Sequence, residues 1–322
     1  MDDVFFATLL ASTLRVSTPL ILCALAGTLC ERAGVIDLGL EGKMLMAAFA
    51  TASVGVATGS LGWALLAALA VGVSVSALHA YVCVSHRGDQ VVLGMAITMT
   101  AAGLTAVLGR AWFNQGGQTP PLPDTVRLGA LWPGLQSAVQ SVPVVGDFIG
   151  IVVFGHNVFV YATLVTVGLV WWLLYRTRFG LRLRAAGENP AMVDAAGVSV
   201  LALRYRALML NGVLSALSGA YLVLALTPAF IPNMTAGRGY MALAAMIFGK
   251  WHPLGALAAC LLFGFLEALA IVLQGAVIPG LGAVPVQAIQ ALPYVLTVVL
   301  LAGFIGRATA PKALGLPYLK DR

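Results

Sequence analysis

Charge is what this chain has least of. Of its 322 residues only 9% are Asp, Glu, Lys or Arg, while 60% are hydrophobic. A soluble domain carries roughly 25% charged residues, so a globule of this length could not be covered with polar surface. Metal and disulfide patterns are missing as well. Cys23, Cys30, Cys83 and Cys260 form no C-x-x-C pair and lie in or at the ends of apolar runs, where cysteine behaves as a small hydrophobe. The histidines, His79, His86, His156 and His252, are scattered, and there is no H-E-x-x-H, G-x-S-x-G or P-loop. Hydrolase chemistry and nucleotide binding therefore have no residues to rest on. The chain is expected not to be an enzyme and to need no cofactor or metal, and any ATP it depends on is hydrolysed by a separate subunit.

Long apolar runs take the place of charge, and the mean hydropathy is +0.96. Lipid offers backbone polar groups no partners, so such runs must be helices or a closed barrel. Stretches such as 64–80 do not alternate, which excludes a barrel. The expected fold class is an all-α polytopic membrane protein with about eight to ten transmembrane helices, residues 1–322 forming a single transmembrane domain. Candidate spans cover roughly 4–29, 44–60, 62–84, 90–109, 156–175, 207–227, 236–250, 253–275 and 286–306, each near the length of about 20 residues that crosses a bilayer. The stretch 236–250 is short and broken by Gly237, Gly239 and Gly249, which suits a half-helix as well as a crossing. Met1-Asp2-Asp3 is acidic, unlike a cleavable signal, so the first span is expected to be retained.

The net charge of +6 is no sign of nucleic acid binding. The excess sits in a basic stretch, 176–206, and in the tail 307–322, where Arg307, Lys312, Lys320 and Arg322 lie. The positive-inside rule puts both in the cytoplasm beside an inner membrane, and nine crossings give them the same side. Segment 110–155 then lies outside. It contains Gln115-Gly116-Gly117-Gln118-Thr119-Pro120-Pro121, which cannot be helix. An external partner or lid and an idle connection are both open readings.

The basic stretch has a capped core. Asn189 suits an N-cap, Pro190 the first helical position and Gly197 a left-handed C-cap. Glu188 lies beside the positive end of the dipole. This predicts a helix of about two turns, framed by Arg176, Arg178, Arg182, Arg184, Arg204 and Arg206. Ser199 can cap a second short helix over 200–204. Alone in water such a helix is unstable, so it packs on its own bundle or on a partner.

Polar residues inside the greasy runs are the other candidates. Glu31, Arg32, Asp37, Glu41 and Lys43 interrupt the chain between the first two spans, with Gly34, Gly39 and Gly42 among them. Opposite charges and glycines there permit a broken helix that dips into the membrane. Glu267 is the one carboxylate well inside an apolar run, and Gln274 shares its helical face. Asp37, Glu41, Thr98, Asn211, Glu267 and Gln274 are candidates for lining a pathway. Helix–helix hydrogen bonding is the competing role, and Glu267 is expected to pair with a polar neighbour. A proton-coupled carrier or channel is the alternative if it is a relay instead. Finally, Gly42-Lys43-Met44-Leu45-Met46-Ala47-Ala48 is echoed by Gly239-Tyr240-Met241-Ala242-Leu243-Ala244-Ala245, a hint of inverted repeats.

Gly187, Asn189, Ala195, Ala196, Gly197 and Val198 resemble the G-x-N-x-x-A-A-x-x-A-G-[IV] coupling loop of ABC importer permeases of the branched-chain amino acid, ribose and nucleoside group, with Asp194 where Ala is frequent. Residues 31–42, 89–96 and 239–251 are similar to the nucleoside branch. The resemblance implies a permease subunit for a nucleoside, with sugar and branched-chain amino acid as alternatives. It implies a second homologous permease, a cytoplasmic ABC ATPase and an extracytoplasmic solute-binding protein as partners, in a prokaryotic inner membrane. Gly187, Glu188, Asn189, Pro190, Asp194, Ala195, Ala196, Gly197 and Val198 would be the coupling residues.

Overall fold

A computed structural model describes residues 2–140, 146–273, 277–278, 282–283, 291, 295 and 309–319. Apart from residues 291 and 295, the span expected at 286–306 lies outside the described residues, as does the candidate Gln274. Among the described residues, seven helices are long and apolar enough to cross a membrane. They include α1 (Asp2–Arg32), α2 (Leu40–Thr58), α3 (Leu61–Ala80, prolonged by a wider turn over Tyr81–Ser85) and α4 (Gln90–Phe113). After the short helices α5 (Pro133–Gln140) and α6 (Gly146–Val152) comes α7 (Val158–Arg176). Then follow α8 (Arg178–Glu188), α9 (Pro190–Ala195), α10 (Val200–Tyr221, prolonged over Leu222–Leu226), α11 (Arg238–Phe248) and α12 (Pro253–Val272). Beyond them, Val277–Ile278 pairs antiparallel with Gly282–Ala283.

Two three-helix units interlock. Asn211 of α10 donates to the Ala26 carbonyl of α1, and Ser218 donates to that of Pro19. The rising number on one helix meets the falling number on the other, so α1 and α10 are antiparallel. Gly72 of α3 packs on Gly212 and Ala216 of α10, and Gly264 of α12 packs on Ser17 of α1. The units α1–α2–α3 and α10–α11–α12 thus exchange partners and run in opposite directions, as the faint repeat suggested. Small residues at these crossings let backbones approach, which is how helices associate where lipid removes the hydrophobic drive.

The stretch 236–250 is resolved in favour of a half-helix. Helix α11 has 11 residues, about 16 Å at 1.5 Å per residue. Its N-terminus starts in the bundle interior against Glu41, and its end reaches Arg32 at the last turn of α1. The other half of this traverse is the irregular segment 227–237. That segment is not bare. Residues 110–131 fold back on it, with Leu128 N–H on Leu224 O, Leu122 N–H on Pro228 O and Thr119 N–H on Phe230 O. Residues 119–128 are therefore packed against the end of α10 and the segment after it, and α5 and α6 follow them.

Two expectations need correction. Residues 176–206 are almost entirely helical. Thr177 caps α8 through Gly180 N–H, and Ser199 caps α10 itself rather than a separate short helix. The membrane helix expected to begin near 207 begins at Val200, because Arg204 and Arg206 are good helix formers and Arg204 finds carbonyl acceptors. Trp251 is buried. Its indole N–H needs an acceptor there and donates to Glu31 Oε2 at 2.6 Å.

Candidate functional site

The polar residues of the interior gather at two helix breaks. At the first, the connector 33–39 carries Asp37 between α1 and α2. Lys43 Nζ lies 2.6 Å from Asp37 Oδ2 and 2.8 Å from Asn211 Oδ1. His79 Nδ1 stands 3.2 Å from Asp37 Oδ1, which also accepts the Gly39 N–H. Asp37, Lys43, His79 and Asn211 are all fully buried. A buried charge pair endures when its remaining polar atoms are also bonded, and here Asn211 extends the network to the Ala26 carbonyl. So Asp37 and Asn211, named as candidates for a pathway, are joined by Lys43 inside the bundle.

The second break is the start of α11. Glu41, the second residue of α2, accepts Gly237 N–H at 2.8 Å and Gly239 N–H at 2.6 Å. A carboxylate at a helix N-terminus satisfies amides that have no partner within the helix and meets the positive end of its dipole. Only glycine fits at 239, because a Cβ there would lie 2.6 Å from the Glu41 backbone. The next charge, Arg238, pairs with Glu267 of α12 at 2.6 Å, and both side chains stay about one-fifth exposed. Glu267 thus has the polar neighbour the sequence called for, on α11. Thr98 is half-buried and donates to the Gly94 carbonyl one turn back. It borders the contact where Gly42 packs against the α4 backbone.

One end of the bundle is closed by the last turn of α1. Arg32 donates to the carbonyls of Trp251 and Lys250. Neighbouring His252, at the start of α12, has its pKa lowered by burial first and by Arg32 second.

The capped core forms as its sequence predicted. Asn189 Oδ1 accepts Met192 N–H, Pro190 opens α9, and Gly197 adopts φ +78. Helix α9 is shorter than expected, Pro190–Ala195. Val193 is buried, whereas Glu188, Ala195, Ala196 and Met192 are exposed, Met192 at 70%. Asp194 and Val198 are partly buried. Gly187 packs on the Arg32 carbonyl with no room for a side chain. Between α8 and α9 lies an open, largely apolar groove of about 530 Å³ floored by Val193 and Val198 and edged by Leu181 and Met192.

Lys43, His79, Arg238 and Trp251 were not among the expected site residues. Arg238 had a signal, since a lone cation between glycines in an apolar stretch requires an opposite charge nearby. Lys43 had one too, six residues after Asp37.

Residues 9–304 match the family model described as the permease component of branched-chain amino acid transport systems. The chain is 38% identical to the guanosine ABC transporter permease protein NupQ of Bacillus subtilis (strain 168), over 97% of this chain and 96% of that protein. It is 37% identical to the nucleoside ABC transporter permease protein NupC of Lactococcus lactis subsp. cremoris (strain MG1363), over 98% and 97%. A solved chain described as an inward-facing conformation of a metal-chelate type ABC transporter shares the fold at a TM-score of 0.50 and 16% identity, over 92% of this chain and 85% of that one. With helix breaks at the centre of an inverted bundle and a capped helix standing at one end, the chain belongs to the family of permease components of branched-chain amino acid transport systems, and it is a membrane permease subunit of an ABC importer.

Proposed function

We propose that this permease subunit moves nucleosides across the inner membrane of a prokaryote by ATPase-driven alternating access. The observation that carries the substrate class is the near full-length likeness to a guanosine permease and a nucleoside permease. ATP is hydrolysed on a separate ABC subunit that grips α8 and α9 through residues 187–198. The exposed Leu181 and Met192 beside the groove supply apolar anchors of the kind interfaces bury at their centre. A second homologous permease completes the path, and an extracytoplasmic binding protein docks on 110–155. This arrangement puts 176–206 and the tail in the cytoplasm, in keeping with their arginines and lysines.

The path runs beside the partly exposed Thr98 and Glu267, while Asp37, Glu41 and Asn211 hold the helix breaks that border it. Half-helices meeting inside a bundle are where transporters commonly place substrate. When the ATPase dimer closes, α9 moves with it and the two inverted units rock about these breaks.

Uptake of labelled guanosine, adenosine and uridine, set against ribose and leucine, tests the substrate class in cells expressing the full transporter. Nucleosides are expected to accumulate and to compete with one another. Accumulation of ribose or leucine instead would sink the assignment. Gly197→Val tests the coupling role. Its Cβ meets nothing within 4 Å, so the cost is the left-handed backbone alone, about 1–2 kcal/mol. The expected result is ATPase activity that no longer drives uptake, and normal uptake would remove the C-cap from the mechanism.

A further inference from the structure

The tail folds back over the end of the bundle where α8 and α9 stand. Ala313 N–H donates to the Gly187 carbonyl at 2.8 Å, and Gly315 N–H donates to the Gly34 carbonyl at 3.1 Å. One short segment therefore bonds to the α8–α9 junction and, two residues later, to the α1–α2 connector. Arg204 fixes it from below. Its Nη1 donates to Leu316 O at 3.0 Å and its Nε to Ala33 O at 3.2 Å, with the side chain only 2% exposed. A guanidinium offers donors in a fixed fork, and here the fork joins tail and connector from the first turns of α10. Tyr318 adds an apolar contact to the cluster of Ala186, Val193, Val200 and Leu203 under α9. Gly315 sits at φ +77 against Ile36, and Ile36 N–H is held by Gln90.

We infer that residues 311–318 form a strap that passes displacement of α8 and α9 to the α1–α2 connector, with Arg204 as its positioning residue. Asp37 is three residues beyond Gly34, so the strap reaches the buried Lys43 network through a few backbone bonds. Near the end of α8, Gly187 packs on the Arg32 carbonyl, and the strap adds a second link from there to the connector. With it, both segments shift as one body. The inference rests on the reading that an ATPase drives α8 and α9.

The test is the amount of nucleoside moved per ATP hydrolysed by the complete transporter in proteoliposomes. Gly315→Val puts a side chain 2.8 Å from Ile36 Cδ1 in a backbone region valine avoids, dislodging the strap at a site outside the helical bundle. Removal of residues 309–322 is the second variant, and Arg204→Met the third. Each is expected to lower the transport-to-ATPase ratio by at least about fivefold, the low end of ordinary coupling between sites. A general folding defect would lower both activities together and leave the ratio alone. A ratio that stays within about twofold of wild type in both Gly315→Val and the truncation overturns the strap. The docking reading is checked separately, by whether Met192→Asp releases the ATPase on co-purification. If it does not, docking fails there and amide exchange decides the strap. Gly315→Val is expected to speed exchange in both 33–39 and 185–198, and unchanged exchange in either segment overturns the inference.

Discussion

Two ion pairs mark the two helix breaks, and they have the same length but different surroundings. Asp37–Lys43 and Arg238–Glu267 both close at 2.6 Å. The first is wholly enclosed, while the second keeps about one-fifth of each side chain accessible. Length alone therefore says nothing about role. The enclosed pair has Asn211, the Gly39 amide and His79 around it, which makes it part of the frame. The open pair keeps an accessible face, which the proposed function assigns to the border of the path.

The comparison breaks most readily at the enclosed pair. Lys43→Met leaves Asp37 charged in a fully buried site, and is expected to cost about 3–5 kcal/mol. A large fall in the thermal midpoint of purified permease would register it. Adding Asp37→Asn should recover much of the loss, because the stranded charge is then gone. Equal stability of Lys43→Met and wild type would mean that the pair is not enclosed.

Gly239→Val comes next. It forces a side chain into the Glu41 backbone and should cost about 1–3 kcal/mol as overpacking. It also separates the Glu41 carboxylate from the amides of α11, so faster exchange at residues 237–241 is the specific readout. The smallest effect on stability is expected at the open pair. Arg238→Gln should cost about 1 kcal/mol or less, as accessible pairs do, yet reduce nucleoside uptake. If it destabilises as much as Lys43→Met, the two pairs are equivalent and the distinction between frame and path is lost.

Legibility in the sequence followed the same divide. The Asn189 and Gly197 caps were readable because a cap is satisfied by amides within three or four residues of it. The pairing of Glu267 was anticipated in kind but not in partner, since Arg238 lies 29 residues away. Lys43 meets Asn211 across 168 residues, and Glu41 meets Gly237 across 196. No local pattern reports contacts of that range. Helix α8 was hidden by its arginines, although Phe179, Leu183 and Ala186 recur at helical spacing and pack inward. Charge there marks the outer face of a helix and not its end.

By itself the sequence determined that this chain lives in lipid, where most of its spans lie and which short segment is a capped helix. Those properties depend on hydrophobic run length and on backbone groups satisfied by near neighbours. Only the tertiary structure decided that α11 is a half-helix capped by a carboxylate from α2, that Lys43 answers Asp37 while also reaching Asn211, and that Trp251 is a buried latch. In a bundle with few charges, each one must find its partner wherever packing brings it, and packing is set by the whole chain at once.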